Sequence, residues 1–301
     1  MNTSELNEKF SLSGILDISE KHSNFPFINI NNQHASAVIS LYGGQVLSYK
    51  HDAHAELLFL SDKAFYETGK AIKGGVPICW PWFGADPEGK GRPAHGFARN
   101  TLWQLESTEQ LSNGDTKVVI IIESGEQTKA LFAYDFKLSL IVVVGETLKL
   151  ELKTENLGQQ AFNITQAMHT YFSVKNIDSV SIEGLDKKAY LDKAKSNTDD
   201  ENKIQAGDVA INGEVDRVYL DVPGQLLLKQ KAASHDVTIK SNNNKTAVVW
   251  NPWQALCEQS ADLKADDYRR FVCVETANAV SDVIEVMPGK TFSLLAEYKN
   301  S

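Results

Sequence analysis

Apolar and polar residues alternate along much of this chain, as they do in strands buried on one face. Leu148, Leu150 and Leu152 alternate with Thr147, Lys149, Glu151 and Lys153. Just before them, Phe136, Leu138 and Leu140 alternate with Lys137 and Ser139, and Gly145-Glu146 predicts a hairpin turn between the two runs. The same reading predicts strands over residues 37–41, 117–123, 161–166, 225–229, 237–240, 247–250, 271–275, 283–286 and 291–298. Helical periodicity is scarce; the best short segments are 259–263 and a turn near 61–66. Many strands at short spacing, punctuated by Gly, Asn and Asp, predict an all-β fold: a large antiparallel sandwich with very little helix. No shift in composition marks a linker, so residues 1–301 are expected to form a single domain.

Composition narrows the function. Of the 301 residues 42% are hydrophobic and 23% charged, which is enough to bury a large core. Thirty basic against 39 acidic residues give a formal net charge of -9. That balance argues against general nucleic-acid binding and requires any anionic ligand to find a locally positive pocket. The N-terminal residues show no basic stretch followed by an apolar core, and the longest apolar runs, 118–122 and 140–144, fall far short of a bilayer span. The expectation is a cytoplasmic protein without membrane contact. Cys79, Cys257 and Cys273 show no paired spacing, so they read as reduced, buried thiols rather than a disulfide or a zinc site. The most polar stretch, 192–203, is expected to be an exposed loop or hairpin tip.

Candidate chemistry concentrates in segment 73–99. It reads Lys73-Gly74-Gly75-Val76-Pro77-Ile78-Cys79-Trp80-Pro81-Trp82-Phe83-Gly84, and after a short loop Pro93-Ala94-His95-Gly96-Phe97-Ala98-Arg99. Glycines let backbone approach a ligand, prolines fix the loop, and aromatics offer flat apolar walls suited to the C–H faces of a sugar. Lys73 and Arg99 are candidate anion ligands, one a point charge and the other a planar fork. Further along, period two puts Glu275 on the face shared by Phe271 and Cys273. Its carboxylate either points inward, where burial would make it a general base, or reaches solvent where the strand flips its face. His169 and His95 stand beside aromatics and glycine, as proton donors near neutral pH or as satisfied structural histidines. Asp216 could accept from sugar hydroxyls or pair with Arg217 at the surface. Trp250 and Trp253 could form a stacking platform or belong to the core. No GxGxxG after a strand, GxxxxGK[ST], HExxH or GxSxG occurs.

Taken in order, several of these segments resemble the aldose 1-epimerase (galactose mutarotase-like) superfamily, and within it the glucose-6-phosphate 1-epimerase branch. The resemblance is carried by Gly43-Gly44-Gln45-Val46-Leu47-Ser48, residues 74–84, His95-Gly96-Phe97-Ala98-Arg99, His169-Thr170-Tyr171-Phe172, Asp216-Arg217-Val218-Tyr219 and Phe271-Val272-Cys273-Val274-Glu275-Thr276. It implies a β-supersandwich with its site on the concave face. It also implies interconversion of the α and β anomers of a hexose 6-phosphate, without metal or organic cofactor. The family's acid falls on His169 and its base on Glu275; its sugar- and phosphate-binding positions fall on Lys73, Arg99 and Asp216, with His95 beside the ring. Where the family carries arginine before the Gly-Gly pair, this chain carries Lys73, which keeps the charge and loses the fork. The implied partner is a small-molecule substrate, and the expected state is a monomer. Two other functions fit the same segments: a mutarotase for unphosphorylated aldoses, and a non-catalytic sugar-phosphate-binding protein on the same fold. Glycoside hydrolysis needs two flanking carboxylates, and only one is assigned.

Overall fold

In the computed structural model, the described residues are 1–22, 24–52, 54–194, 203–233 and 235–300. Their architecture is two large stacked antiparallel sheets, joined by a four-stranded sheet and by a two-stranded one that pairs Phe162–Ile164 with Ile284–Val286. The expected hairpin forms as predicted: Phe136–Val144 pairs with Leu148–Asn156, and Leu140↔Leu152 and Val142↔Leu150 stand opposite one another. It sits inside a nine-stranded sheet that also holds Thr116–Glu123, Gln225–Gln230, Val237–Asn242 and Thr291–Asn300. The second sheet has eight strands. From within the sheet to one edge it runs Val215–Leu220, Thr246–Asn251, Phe271–Asn278, Gln166–Met168 and Ile78–Cys79, with Tyr171–Ser173 also paired to Phe271–Asn278. A four-stranded meander covers Leu16–His22, Phe25–Asn31, Ala35–Ser40 and Gln45–His51.

The core explains which face of the second sheet is free for chemistry. Leu140, Leu150 and Leu152 of the first sheet cluster with Met168, Phe172, Ala247, Val249, Val272 and Val274 of the second. By alternation, Ala167, Val248, Trp250, Cys273, Glu275 and Ala277 lie on the opposite face. A thin second apolar layer of Cys79, Ala167, Val218, Val248 and Ala277 floors that face.

The remaining sequence expectations fare unevenly. Segment 161–166 splits into Phe162–Ile164 and Gln166–Met168, which join different sheets. The break is Thr165, whose N–H bonds the Pro81 carbonyl while its hydroxyl accepts from the Phe83 N–H. The turn near 61–66 is present, closed by Ala64 N–H to the Ser61 carbonyl. The helix expected at 259–263 lies one stretch earlier, at Trp253–Gln259; it buries only Cys257, so it carries almost no apolar periodicity. Helix Thr3–Phe10 lies outside the predicted elements, because only Leu6 and Phe10 of its residues are buried; an Asn2–Glu5 capping box starts it. Most of the polar stretch 192–203 lies outside the described residues.

Candidate active site

Strand Phe271–Asn278 is buried at all eight positions, so Glu275 points inward and is only 2% exposed. The register Met168↔Thr276 and Tyr171↔Cys273, carried through the residues between, sets His169 opposite Glu275. Their side chains meet with Nε2 of His169 3.3 Å from Oε1 of Glu275. The His169 N–H bonds the Pro77 carbonyl at 3.0 Å, which ties the histidine to segment 73–84. His169 Nδ1 and Glu275 Oε2 are buried without a protein partner, an arrangement that costs stability unless a ligand or water completes it. Beneath the pair, the Tyr298 hydroxyl lies 2.6 Å from Thr170 Oγ1 and also hydrogen-bonds Thr276, the chain neighbours of His169 and Glu275.

Asp216 belongs to the same surface. It stands opposite Trp250, which stands opposite Cys273, which stands opposite Tyr171, a single row across four strands. Arg217, next in the chain, points the other way: it bonds Gln205 and lies over the Tyr190 ring rather than pairing Asp216. Trp250 meets His169 edge to face at 5.9 Å, and Tyr171 stacks on His169 at 5.0 Å. Trp250 is therefore a wall of this site, whereas Trp253 packs on Tyr268.

Segment 73–99 is built differently from its sequence reading. Gly74 and Gly75 approach the protein's own backbone, not a ligand: a side chain on Gly74 would overlap the Phe59 carbonyl and one on Gly75 the Val46 carbonyl. Trp80, Trp82 and Phe97 are buried in the core and cannot serve as sugar walls. Phe83 alone of the segment's aromatics faces the chemistry, edge to face with His95 at 4.8 Å. His95 takes φ +63, and the Gly84 N–H donates to its Nδ1 at 3.3 Å, which leaves Nε2 as the proton-bearing nitrogen of the neutral ring. Its ring lies 6.0 Å from that of His169. Arg99 donates through Nη2 to the Ala94 carbonyl at 3.0 Å, and its buried Nε has no protein partner. Lys73 extends its ammonium to Asp262, 3.4 Å away. Asp262 escaped the sequence reading; it lies in a loop with no motif of its own, and nothing in its spacing pointed to Lys73.

The electrostatics tie these residues into one site. Burial, followed by the charges of His95, Arg99 and Lys73, drives His169 well below the usual imidazole range. Burial, and then Arg99 and Lys73, pushes His95 down to about 3. Glu275 is driven well above the ordinary carboxylate range by burial and secondarily by Asp216, with Arg99 opposing. Asp216 rises to about 6, by burial first and then Glu214 and Asp192. These interactions link Lys73, His95, Arg99, His169, Glu275 and Asp216 in one electrostatic network. A separate cavity of about 630 Å³, lined by Trp82, Arg92, Tyr134, Thr165 and Glu285 among others, contains none of them.

The aldose 1-epimerase family model matches residues 26–299. The chain belongs to the aldose 1-epimerase family. A protein of Escherichia coli (strain K12) named "Putative glucose-6-phosphate 1-epimerase" is 36% identical over 252 residues, covering 84% of this chain and 83% of that protein. A protein of the same name from Cenchrus ciliaris is 36% identical over 263 residues, covering 84% of this chain and 78% of that protein. Among solved structures, a "putative mutarotase (YeaD)" from Salmonella typhimurium superposes with a TM-score of 0.89 at 29% identity, covering 97% of this chain and 95% of the other. The enzyme is an isomerase of the epimerase or mutarotase type, acting on a small sugar. Among the described residues no helix is long and apolar enough to cross a membrane.

Proposed function

We propose that the enzyme interconverts the α and β anomers of hexose 6-phosphates, with His169 as acid and Glu275 as base. The observation that carries this reading is the buried His169–Glu275 contact, 3.3 Å long, in which each partner keeps one unpaired polar atom. Burial resists a charge on either residue, so around neutral pH the pair carries one proton. That count is what anomer exchange needs. With the proton on His169, Glu275 removes the proton of the anomeric hydroxyl as His169 protonates the ring oxygen; the C1–O5 bond breaks and C1=O forms. The pair then still holds one proton, now on Glu275. After rotation about C1–C2 the hydroxyl adds to the other face of the aldehyde, and the proton returns to His169. Each positioned group contributes about 10²–10⁴-fold. His95, neutral, offers Nε2–H to a sugar hydroxyl, and Asp216 accepts from another.

Lys73 and Arg99 are the cations of this surface and hold the 6-phosphate, which positions the sugar from its far end. The names of the relatives support the phosphate. A second reading, exchange of unphosphorylated aldoses, draws support from one contact: Asp262 already engages Lys73. We further read the chain as one domain acting as a monomer in the cytoplasm. Two-dimensional exchange NMR on glucose 6-phosphate and glucose tests the assignment. Faster exchange on the phosphate, lost in His169→Ala and Glu275→Gln while both stay folded, is expected. Full activity in either variant would remove it from the mechanism, and equal exchange on glucose would favour the second reading.

A further inference from the structure

The Lys73–Asp262 contact has an architecture of its own. Both side chains are about one-fifth exposed, 23% and 20%, so the pair stands at the rim of the site rather than within the sheet. One residue holds both partners: the Ser61 N–H donates to the Lys73 carbonyl at 3.1 Å, and the Ser61 hydroxyl donates to the Asp262 carbonyl at 2.7 Å. Leu263, next in the chain, is buried in a cluster with Phe59, Tyr171 and Phe271. The Asp262 carboxylate is thereby held next to the cation that directly precedes the Gly74-Gly75 pair. Its charge is also felt inside the site, where Asp262 is among the charges that add to burial in raising the Tyr171 hydroxyl.

We propose that Asp262 is a specificity-determining residue, which competes with the substrate's phosphate for the Lys73 ammonium and so sets the preference between phosphorylated and free sugars. The proposal rests on the hexose 6-phosphate reading above. A guanidinium at position 73 could hold a carboxylate on one edge and a phosphate on another; the ammonium is a single point charge that the two anions must share. A single, partly solvated ion pair 3.4 Å long is weak enough to be displaced. A dianionic phosphate gains more from Lys73 and Arg99 together than one carboxylate does from Lys73, but it arrives beside a like charge. A neutral sugar meets no such opposition. Asp262 therefore weakens binding of the phosphorylated substrate selectively and leaves the acid–base pair untouched.

Anomer-exchange kinetics on glucose 6-phosphate and on glucose, for the wild type, Asp262→Asn and Asp62→Asn, test this. Asn is nearly isosteric and leaves the backbone bond from Ser61 in place. Asp62 is an exposed carboxylate of the same neighbourhood paired with Lys264, so its variant controls for a general loss of negative charge. Asp262→Asn is expected to lower KM for glucose 6-phosphate by about ten-fold, to strengthen competition by inorganic phosphate similarly, and to leave glucose unchanged. A rise in KM for glucose with no change for the phosphate would overturn the proposal, making Asp262 a ligand of a sugar hydroxyl. The same gain in Asp62→Asn would overturn it as well. A wild type that prefers the phosphate while Asp262→Asn is indistinguishable from it defeats this inference alone. A wild type that turns over both sugars equally defeats the underlying phosphate reading too.

Discussion

Replacing His95 by Asn removes one titrating ring and measures the positive field of the site directly. In the folded protein that ring is pushed from its ordinary 6.5 down to about 3, by burial and then by Arg99 and Lys73. A depressed histidine contributes stability that is complete above pH 6.5 and is lost as the pH falls toward 3, because the unfolded chain takes up the proton first. Each pH unit below 6.5 removes about 1.4 kcal/mol, so pH 4 removes about 3 kcal/mol, and the ring's partial exposure trims that to about 2 kcal/mol. Asn tolerates the left-handed backbone of position 95, φ +63, and does not titrate. Urea unfolding followed by tryptophan fluorescence, at pH 7 and pH 4, gives the loss for each protein. The wild type is expected to lose about 2 kcal/mol more than His95→Asn over that interval. Both proteins share the other titrating groups except for the repulsion His95 exerts on His169, and its removal acts in the same direction. Equal losses would refute the reasoning: neither burial nor the two cations would then be acting on this ring.

Two further outcomes follow from the same geometry. Asp216, raised to about 6, should give kcat/KM a limb that falls as the pH drops through that value; Asp216→Asn should flatten the limb at a lower plateau. The sign for stability is opposite to that of His95: the wild type should lose stability relative to Asp216→Asn as the pH rises from about 4 to about 6, and the difference should stay constant above that. Gly96→Ala sets a methyl against the Trp80 carbonyl at φ +73, and should cost about 3 kcal/mol or more, lowering Tm by at least about 5 °C in a thermal scan. A Gly96→Ala protein as stable as the wild type would mean that the loop has somewhere else to go.

Strand parity alone left Glu275 balanced between an inward and a solvated carboxylate; cover on both faces of the sheet decides it, and that cover comes from residues far away in the chain. The alternation of 136–153 was readable because a single local rule produces it, and the hairpin follows it pair for pair. Segment 73–99 stands out in the sequence for physical reasons that differ from those the structure shows. Its glycines and most of its aromatics are demanded by close backbone crossings and by the core, and a sequence does not say whether a glycine makes room for a ligand or for Val46. His95 was legible as a residue type but not as a conformation, since neither its positive φ nor the bond from Gly84 leaves a trace in composition. Asp262 was invisible because it meets Lys73 only through the folding of two loops onto Ser61.

The Tyr298 hydroxyl grips Thr170 and Thr276 from the opposing sheet. The spacing of His169 and Glu275 is therefore a property of the whole sandwich, clamped from underneath by a residue of the opposing sheet. A site made this way has a fixed bed and an adjustable rim. Changes of side chain are cheap at edge positions such as 73 and 262, where partly exposed residues lie off the strands and can be exchanged without disturbing a sheet. Changes of chemistry would require both layers to move at once. A lineage built on this plan should diversify in what it admits long before it diversifies in what it does.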